Sequence, residues 1–100
     1  MYEPRIKSEQ ADLLMEAILH LKNTDDAYRF FEDICTIAEV KSMAQRIEVA
    51  RLLRAGVTYQ EIARETGASS ATISRVNRAL LYGADGYRRV LDALEDQPEG

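Results

Sequence analysis

Apolar residues recur along this chain at intervals of three and four, the mark of one-sided helices. Between Ser8 and about Lys22 they are Ala11, Leu14, Met15, Ile18, Leu19 and Leu21, which predict a first helix with a broad apolar face. Asn23-Thr24-Asp25 supplies a stop and a new cap. A second helix is predicted from about Asp26 to Ile34, with Phe30, Phe31 and Ile34 apolar. Thr36-Ile37-Ala38-Glu39 is a capping box, in which the hydroxyl can accept from the Glu39 amide while Glu39 reaches back. The helix it starts is expected to run to about Ala55. Its stripe is Val40, Met43, Ala44, Ile47, Ala50 and Leu53, and Gly56 ends it with access to positive φ.

Thr58-Tyr59-Gln60-Glu61 is a second capping box, opening a short helix to about Thr66 with Ile62 and Ala63 facing inward. Gly67 breaks that helix, and Ser69 is a good N-cap for the next, about residues 70–82. Gly83 ends it. Asp85 or Gly86 leads into a last helix over about 86–95, with Val90, Leu91 and Leu94 apolar, and a frayed tail is expected over 96–100. The two prolines, Pro4 and Pro98, lie near the ends, and strand-like alternation is absent. The pattern predicts an all-α protein of about six helices, a single domain spanning 1–100.

Residues 58–82 read as helix, tight glycine turn, helix. The first of these helices is too short to be stable alone, so it must pack against its neighbour. Ala63 is small enough to let two helices cross closely, and Gly67 can take the left-handed conformation such a turn needs. Ile73 and Val76 direct branched side chains into the angle between the helices. Ser70, Ala71, Ser74, Arg75 and Arg78 are then left on the outward face, with Thr72 near its start. This is the layout of a DNA-binding helix-turn-helix, whose second helix enters the major groove. Hydroxyls can reach bases or phosphates, an Ala or Thr methyl can touch a thymine methyl, and Arg can bond guanine or a phosphate. Tyr59 and Gln60 are expected to assist, and Arg51, Arg54 and Arg64 are secondary phosphate candidates.

Charge changes the picture locally. The formal net charge is -4, but residues 1–40 carry -5, residues 41–81 carry +4 and residues 82–100 carry -3. A cationic middle inside an acidic chain fits a polyanion-binding face. Apolar residues make up 46% of the chain, more than a lone bundle of 100 residues readily encloses, which favours a dimer. No run of about 18 apolar residues exists to span a membrane. Met1-Tyr2-Glu3-Pro4 lacks the features of a signal peptide, and the single Cys35 excludes an intrachain disulfide, so a cytoplasmic location is expected.

The segments "QRIEVARLLRAGVTYQEIARETGASSATISR" and "VNRALLYGADGYRRVLDAL" resemble the Trp repressor family, in its small Trp-repressor-related branch. The resemblance covers at least residues 30–94, and "GASSATISR" is its most specific motif. It implies an intertwined homodimer whose two recognition helices read a palindromic operator in double-stranded DNA, and a role as a transcriptional repressor. It also implies an effector pocket. In the family, one arginine on a central helix and another on the recognition helix hold tryptophan. Arg75 matches the second. Arg46 is the nearest candidate for the first, although counting back from Leu52-Leu53-Arg54 sets Gln45 at that place. The glycine that leaves room for the indole is here Val76, so tryptophan is not expected to bind. A base-contacting arginine and a lysine of the family are replaced by Gln60 and Ala63, so the operator should differ.

No other site emerges. His20 has no metal-spaced companions, Cys35 reads as a small apolar residue, and Asp25-Asp26 and Glu32-Asp33 suit helix starts and a solvated face. Met15, Met43, Phe30 and Phe31 read as core or dimer interface. No nucleophile elbow or phosphate loop is present, so neither an enzyme nor a cofactor is expected. The rival reading is a dimeric protein-interaction module that works through its acidic first 40 residues and keeps the helix-turn-helix as scaffold.

Overall fold

The computed structural model describes residues 2–96 and contains six helices, with no strand among the described residues. They are α1 (Glu9–Leu19), α2 (Thr24–Ile34), α3 (Ile37–Arg54), α4 (Tyr59–Thr66), α5 (Ser70–Tyr82) and α6 (Gly86–Glu95). Of the expected tail, all but Asp96 lies outside the described residues. The chain divides into two compact units, Met1–Val40 and Lys41–Gly100.

In the first unit, Ser8 caps α1 by accepting the Ala11 N–H at 3.0 Å, and Asn23 caps α2 by accepting the Asp26 N–H at 2.8 Å. The periodic pattern of α1 runs on to Leu21, but the helix stops at Leu19. Its last turn tightens: the His20 and Leu21 amides bond three residues back, and His20 Nδ1 lies 2.8 Å from the Glu16 carbonyl. A side chain thus takes the carbonyl that the next helical amide would have used. Phe30 and Phe31 meet edge to face, with centroids 5.6 Å apart. None of the residues in α1 or α2 is buried, and Leu13 and Leu19 are 71% and 82% exposed. Two helices of 11 residues each, with no buried residue of their own, are marginal by themselves.

The predicted capping box at the start of α3 forms in full. Thr36 N–H donates to Glu39 Oε1 at 2.8 Å, and Glu39 N–H to Thr36 Oγ1 at 3.1 Å. The far end of α3 closes as a Schellman motif. Gly56, at φ +85°, bonds the Leu53 carbonyl, and the Val57 amide bonds that of Leu52, both at 3.0 Å. Val57 then packs on the core, as the motif's hydrophobic contact requires.

The core of the second unit is Val49, Ala50 and Leu52 from α3, Ile62 from α4, Ala68 from the turn after it, Ile73 and Val76 from α5, and Leu91 from α6. It corrects the stripe expected on α3. Ala50 is buried, with Ile47 and Leu53 beside it, but Val49 and Leu52, outside that stripe, are buried as well, while Met43 and Ala44 are exposed. Apolar side chains lie on more than one face of this helix, so periodicity alone did not single out the face its own chain covers. On α6 likewise, Leu91 is buried but Val90 and Leu94 stay half exposed.

The second capping box forms only in half. Thr58 accepts the Glu61 N–H at 3.3 Å, whereas the Glu61 carboxylate turns to Arg64. Between α5 and α6, Gly83 has an ordinary φ of −85°, but a Cβ there would sit 2.4 Å from the Ala79 carbonyl oxygen. Space, not φ, requires that glycine. The Arg54 guanidinium reaches across to Asp92 and to Glu95, the latter at 3.4 Å, tying the end of α3 to α6.

Candidate nucleic-acid interface

The site grows from the turn between α4 and α5. Gly67 takes φ +73°, where a side chain would be strained although nothing crowds the space around it. Its amide bonds the Ala63 carbonyl at 2.9 Å and ends α4. Thr66 Oγ1 donates to the Ile62 carbonyl at 2.7 Å and accepts from the Ala68 N–H at 3.1 Å. Ser69 then caps α5, its Oγ accepting the Thr72 N–H at 3.1 Å. The same Oγ donates to Thr72 Oγ1 at 3.1 Å, which orients the Thr72 hydroxyl.

The start of α5 is therefore fixed, and its rotation follows from burial. Ile73 is fully buried and Val76 is 3% exposed, so both point into the core. Ser70, Ala71, Ser74, Arg75 and Arg78 are exposed, and Thr72 is half-buried at the edge of the face. Ala71, Ser74, Arg75 and Arg78 surround one shallow depression of about 200 Å³. Tyr59 and Gln60 are exposed in the first turn of α4.

Electrostatics separates the arginines into two groups. Arg51 is paired with Glu48, Arg54 with Asp92 and Glu95, and Arg64 with Glu61. The Glu48 carboxylate raises the Arg51 pKa, and the Asp92 carboxylate raises that of Arg54; Arg51 in turn holds Glu48 below its usual value. These three secondary phosphate candidates are thus neutralised within the chain. Among the described residues Arg75 and Arg78 have no carboxylate partner, nor does Arg46. Two unpaired guanidiniums among small hydroxyl side chains form a surface that can receive phosphates and base edges.

The residues expected at an effector pocket also come together. Arg46, Arg75 and Val76 line one groove of about 230 Å³, with Ser42, Gln45 and Thr72 beside them and Ala79 and Tyr87 closing it. Val76 forms part of its wall while belonging to the core. Gln45, which the sequence set at the place of the family's first arginine, makes a bond the sequence did not suggest: its Nε2 donates to the Thr66 carbonyl at 3.1 Å. Its inward placement was legible, because Gln45 precedes Val49 and Leu52 by four and seven residues and so shares their inward face.

The family model for Trp repressor protein matches residues 9–95. Uncharacterized protein YerC of Bacillus subtilis (strain 168) is 52% identical over 92 residues, which are 92% of this chain and 88% of that protein. The crystal structure of a TrpR like protein from Eubacterium eligens ATCC 27750 matches with a TM-score of 0.87 at 54% identity, covering 95% of this chain and 98% of that one. A Staphylococcus aureus chain of known structure matches with a TM-score of 0.86 at 42% identity, over 95% of each chain. The family match spans most of the chain and the fold agrees with the solved structures, so the chain belongs to the Trp repressor family.

Proposed function

We propose that this protein is a sequence-specific DNA-binding transcriptional repressor, working in the cytoplasm as a homodimer on a palindromic operator and without tryptophan. The observation that carries the reading is the outward face of α5, where Arg75 and Arg78 stand unpaired among Ser70, Ala71, Thr72 and Ser74. Arg51, Arg54 and Arg64 of the same unit are paired with carboxylates. Membership of the Trp repressor family supports a regulator, and no helix of the described residues is long and apolar enough to cross a membrane.

The dimer is supported by the first unit, whose helices bury nothing and expose Leu13, Leu19 and Tyr28. Large apolar side chains left this exposed suit an interaction surface, and a second copy is the economical partner. Val76 supports tryptophan independence, since it stands where the resemblance puts a glycine and it lines the groove with Arg46 and Arg75.

Selection of bound duplexes from a random pool, followed by titration at several salt concentrations, tests the reading. The expected result is one enriched palindrome and an affinity that falls steeply with salt. Arg78→Ala, as a phosphate contact, should lower the salt slope by about one. If neither Arg75→Ala nor Arg78→Ala changes binding, α5 is not the reading helix. If no duplex binds at all, the acidic interaction-module reading takes over.

A further inference from the structure

Resting on the DNA-binding reading, we infer that Gln45 is a positioning residue for recognition, the lock that fixes the α4–α5 head against α3. Among the described residues, Gln45 Nε2 to the Thr66 carbonyl is the one side-chain hydrogen bond that joins α3 to α4, α5 or the turn between them. Its target is not arbitrary. Thr66 ends α4, and its carbonyl belongs to the last turn, where helical partners run out.

Thr66 is also the node of the turn. Its hydroxyl holds the Ile62 carbonyl behind it and the Ala68 amide ahead of it. Ala68 is buried, and Ser69 caps α5 immediately afterwards. A displacement of Thr66 therefore passes through two residues to the cap, and from the cap to Ser70, Ala71 and Ser74. Gln45 makes its bond from a half-buried position on the face of α3 that carries Val49 and Leu52, so the amide approaches from a rigid, packed element. Apolar packing at Ile62, Ile73 and Val76 sets the distance between helices but is tolerant of small sliding. A directional bond to one carbonyl sets the register. The head is thereby held by the chain itself, with no small molecule required.

The test uses the full chain with Gln45→Glu and Gln45→Leu. The first keeps size and replaces the amide donor by a carboxylate facing a carbonyl; the second removes the bond without adding charge. Affinity for the selected operator and for a random duplex is measured across salt, with melting temperature and amide exchange at Ala68 recorded in the absence of DNA. Both variants should lose up to about tenfold in affinity for the operator, an upper bound set by the worth of one part-buried hydrogen bond that no longer pre-positions the head. For Gln45→Leu, which adds no charge beside Arg46 and Arg75, the random duplex should change by less than about twofold, and the salt slope should stay unchanged, because no phosphate contact is removed. Exchange at Ala68 should accelerate. If the variants melt lower but keep the ratio of specific to random affinity, Gln45 is merely structural and the inference fails. If the salt slope of Gln45→Leu falls with its affinity, Gln45 touches DNA directly and the inference fails too. A wild-type chain that binds no duplex removes the DNA-binding reading itself, whereas wild-type binding that both variants share overturns only the role of Gln45.

Discussion

Val76→Gly tests two claims at one position. Val76 is 3% exposed and sits in the interior of α5, against a core that includes Val49, Ile62 and Ile73. Burying a whole valine side chain is worth roughly 1.5–3 kcal/mol, and a glycine in a helix interior costs a few tenths more than valine. A residual cavity adds to this unless the groove beside Val76 collapses. The sum is about 3 kcal/mol, which for a domain of this size lowers the melting temperature by roughly 12–24 °C. Thermal denaturation followed by circular dichroism reads it directly. The second claim concerns the groove lined by Arg46, Arg75 and Val76. Removing the isopropyl group opens the slot, so tryptophan should raise the melting temperature of the variant while leaving the wild type unmoved. At a ligand concentration of one hundred times Kd, about 2.7 kcal/mol returns, nearly the whole loss. Val76→Ala serves as the intermediate, with a smaller loss and little response to tryptophan. A loss below about 1 kcal/mol in Val76→Gly would show that Val76 is not packed as described. Tryptophan binding to the wild type with a micromolar Kd, about -8 kcal/mol, would sink the claim that the slot is filled.

The two turn glycines separate in the same assay. Gly67→Ala meets open space but positive φ and should cost about 1–2 kcal/mol, whereas Gly83→Ala drives a Cβ against the Ala79 carbonyl and should cost about 1–3 kcal/mol with a visible change at the end of α5 by amide exchange. Gly83→Ala at wild-type stability would mean that the end of α5 opens easily. Glu39 sits below its ordinary pKa of 4.5 because the Thr36 backbone N–H, and then the Thr36 side chain, bond its charged form. A lowered carboxylate stabilises above its ordinary pKa and loses that contribution as pH falls through the lowered value. Glu39→Ala should therefore melt below the wild type at pH 7, and the gap should close in acid; a gap that widens contradicts the assignment. Leu13→Asp and Leu19→Asp should convert a dimer to monomer in sedimentation, because each introduces a charge on the exposed apolar face of α1. A wild type that sediments as monomer at micromolar concentration refutes the proposed assembly.

How much of this was legible in the sequence depended on whether the determining physics was local. Caps and turns are local. Thr36 with Glu39, Ser69 with Thr72, and Gly56 and Gly67 each take the conformation their side chains or their lack of one dictate. The inward pair Ile73 and Val76 was equally legible, because the small and polar residues around them leave these two as the bulky apolar positions in the first half of α5. What was not legible needed a second element. On α3 the apolar residues are too widely distributed for periodicity to choose Val49 and Leu52 over Met43 and Ala44; α4, α5 and α6 make that choice by arriving on one side. Arg54 looked available until α6 folded back with Asp92, whereas Glu48 and Glu61, three residues before Arg51 and Arg64 on their own helices, were legible partners. That sorting sharpened the site. Seven basic residues between 41 and 81 suggested a diffuse cationic segment, whereas the ion pairs leave Arg75 and Arg78 as the unpaired pair on the outward face of α5. Gln45 shows the same limit from the polar side. A glutamine on an inward face announces that a partner must exist, since a half-buried amide without one is costly. Only the folded chain names the Thr66 carbonyl, 21 residues away, as that partner. The bond turns an inward polar residue of α3 into a constraint on the register of α5, which a helix-by-helix reading has no means to propose.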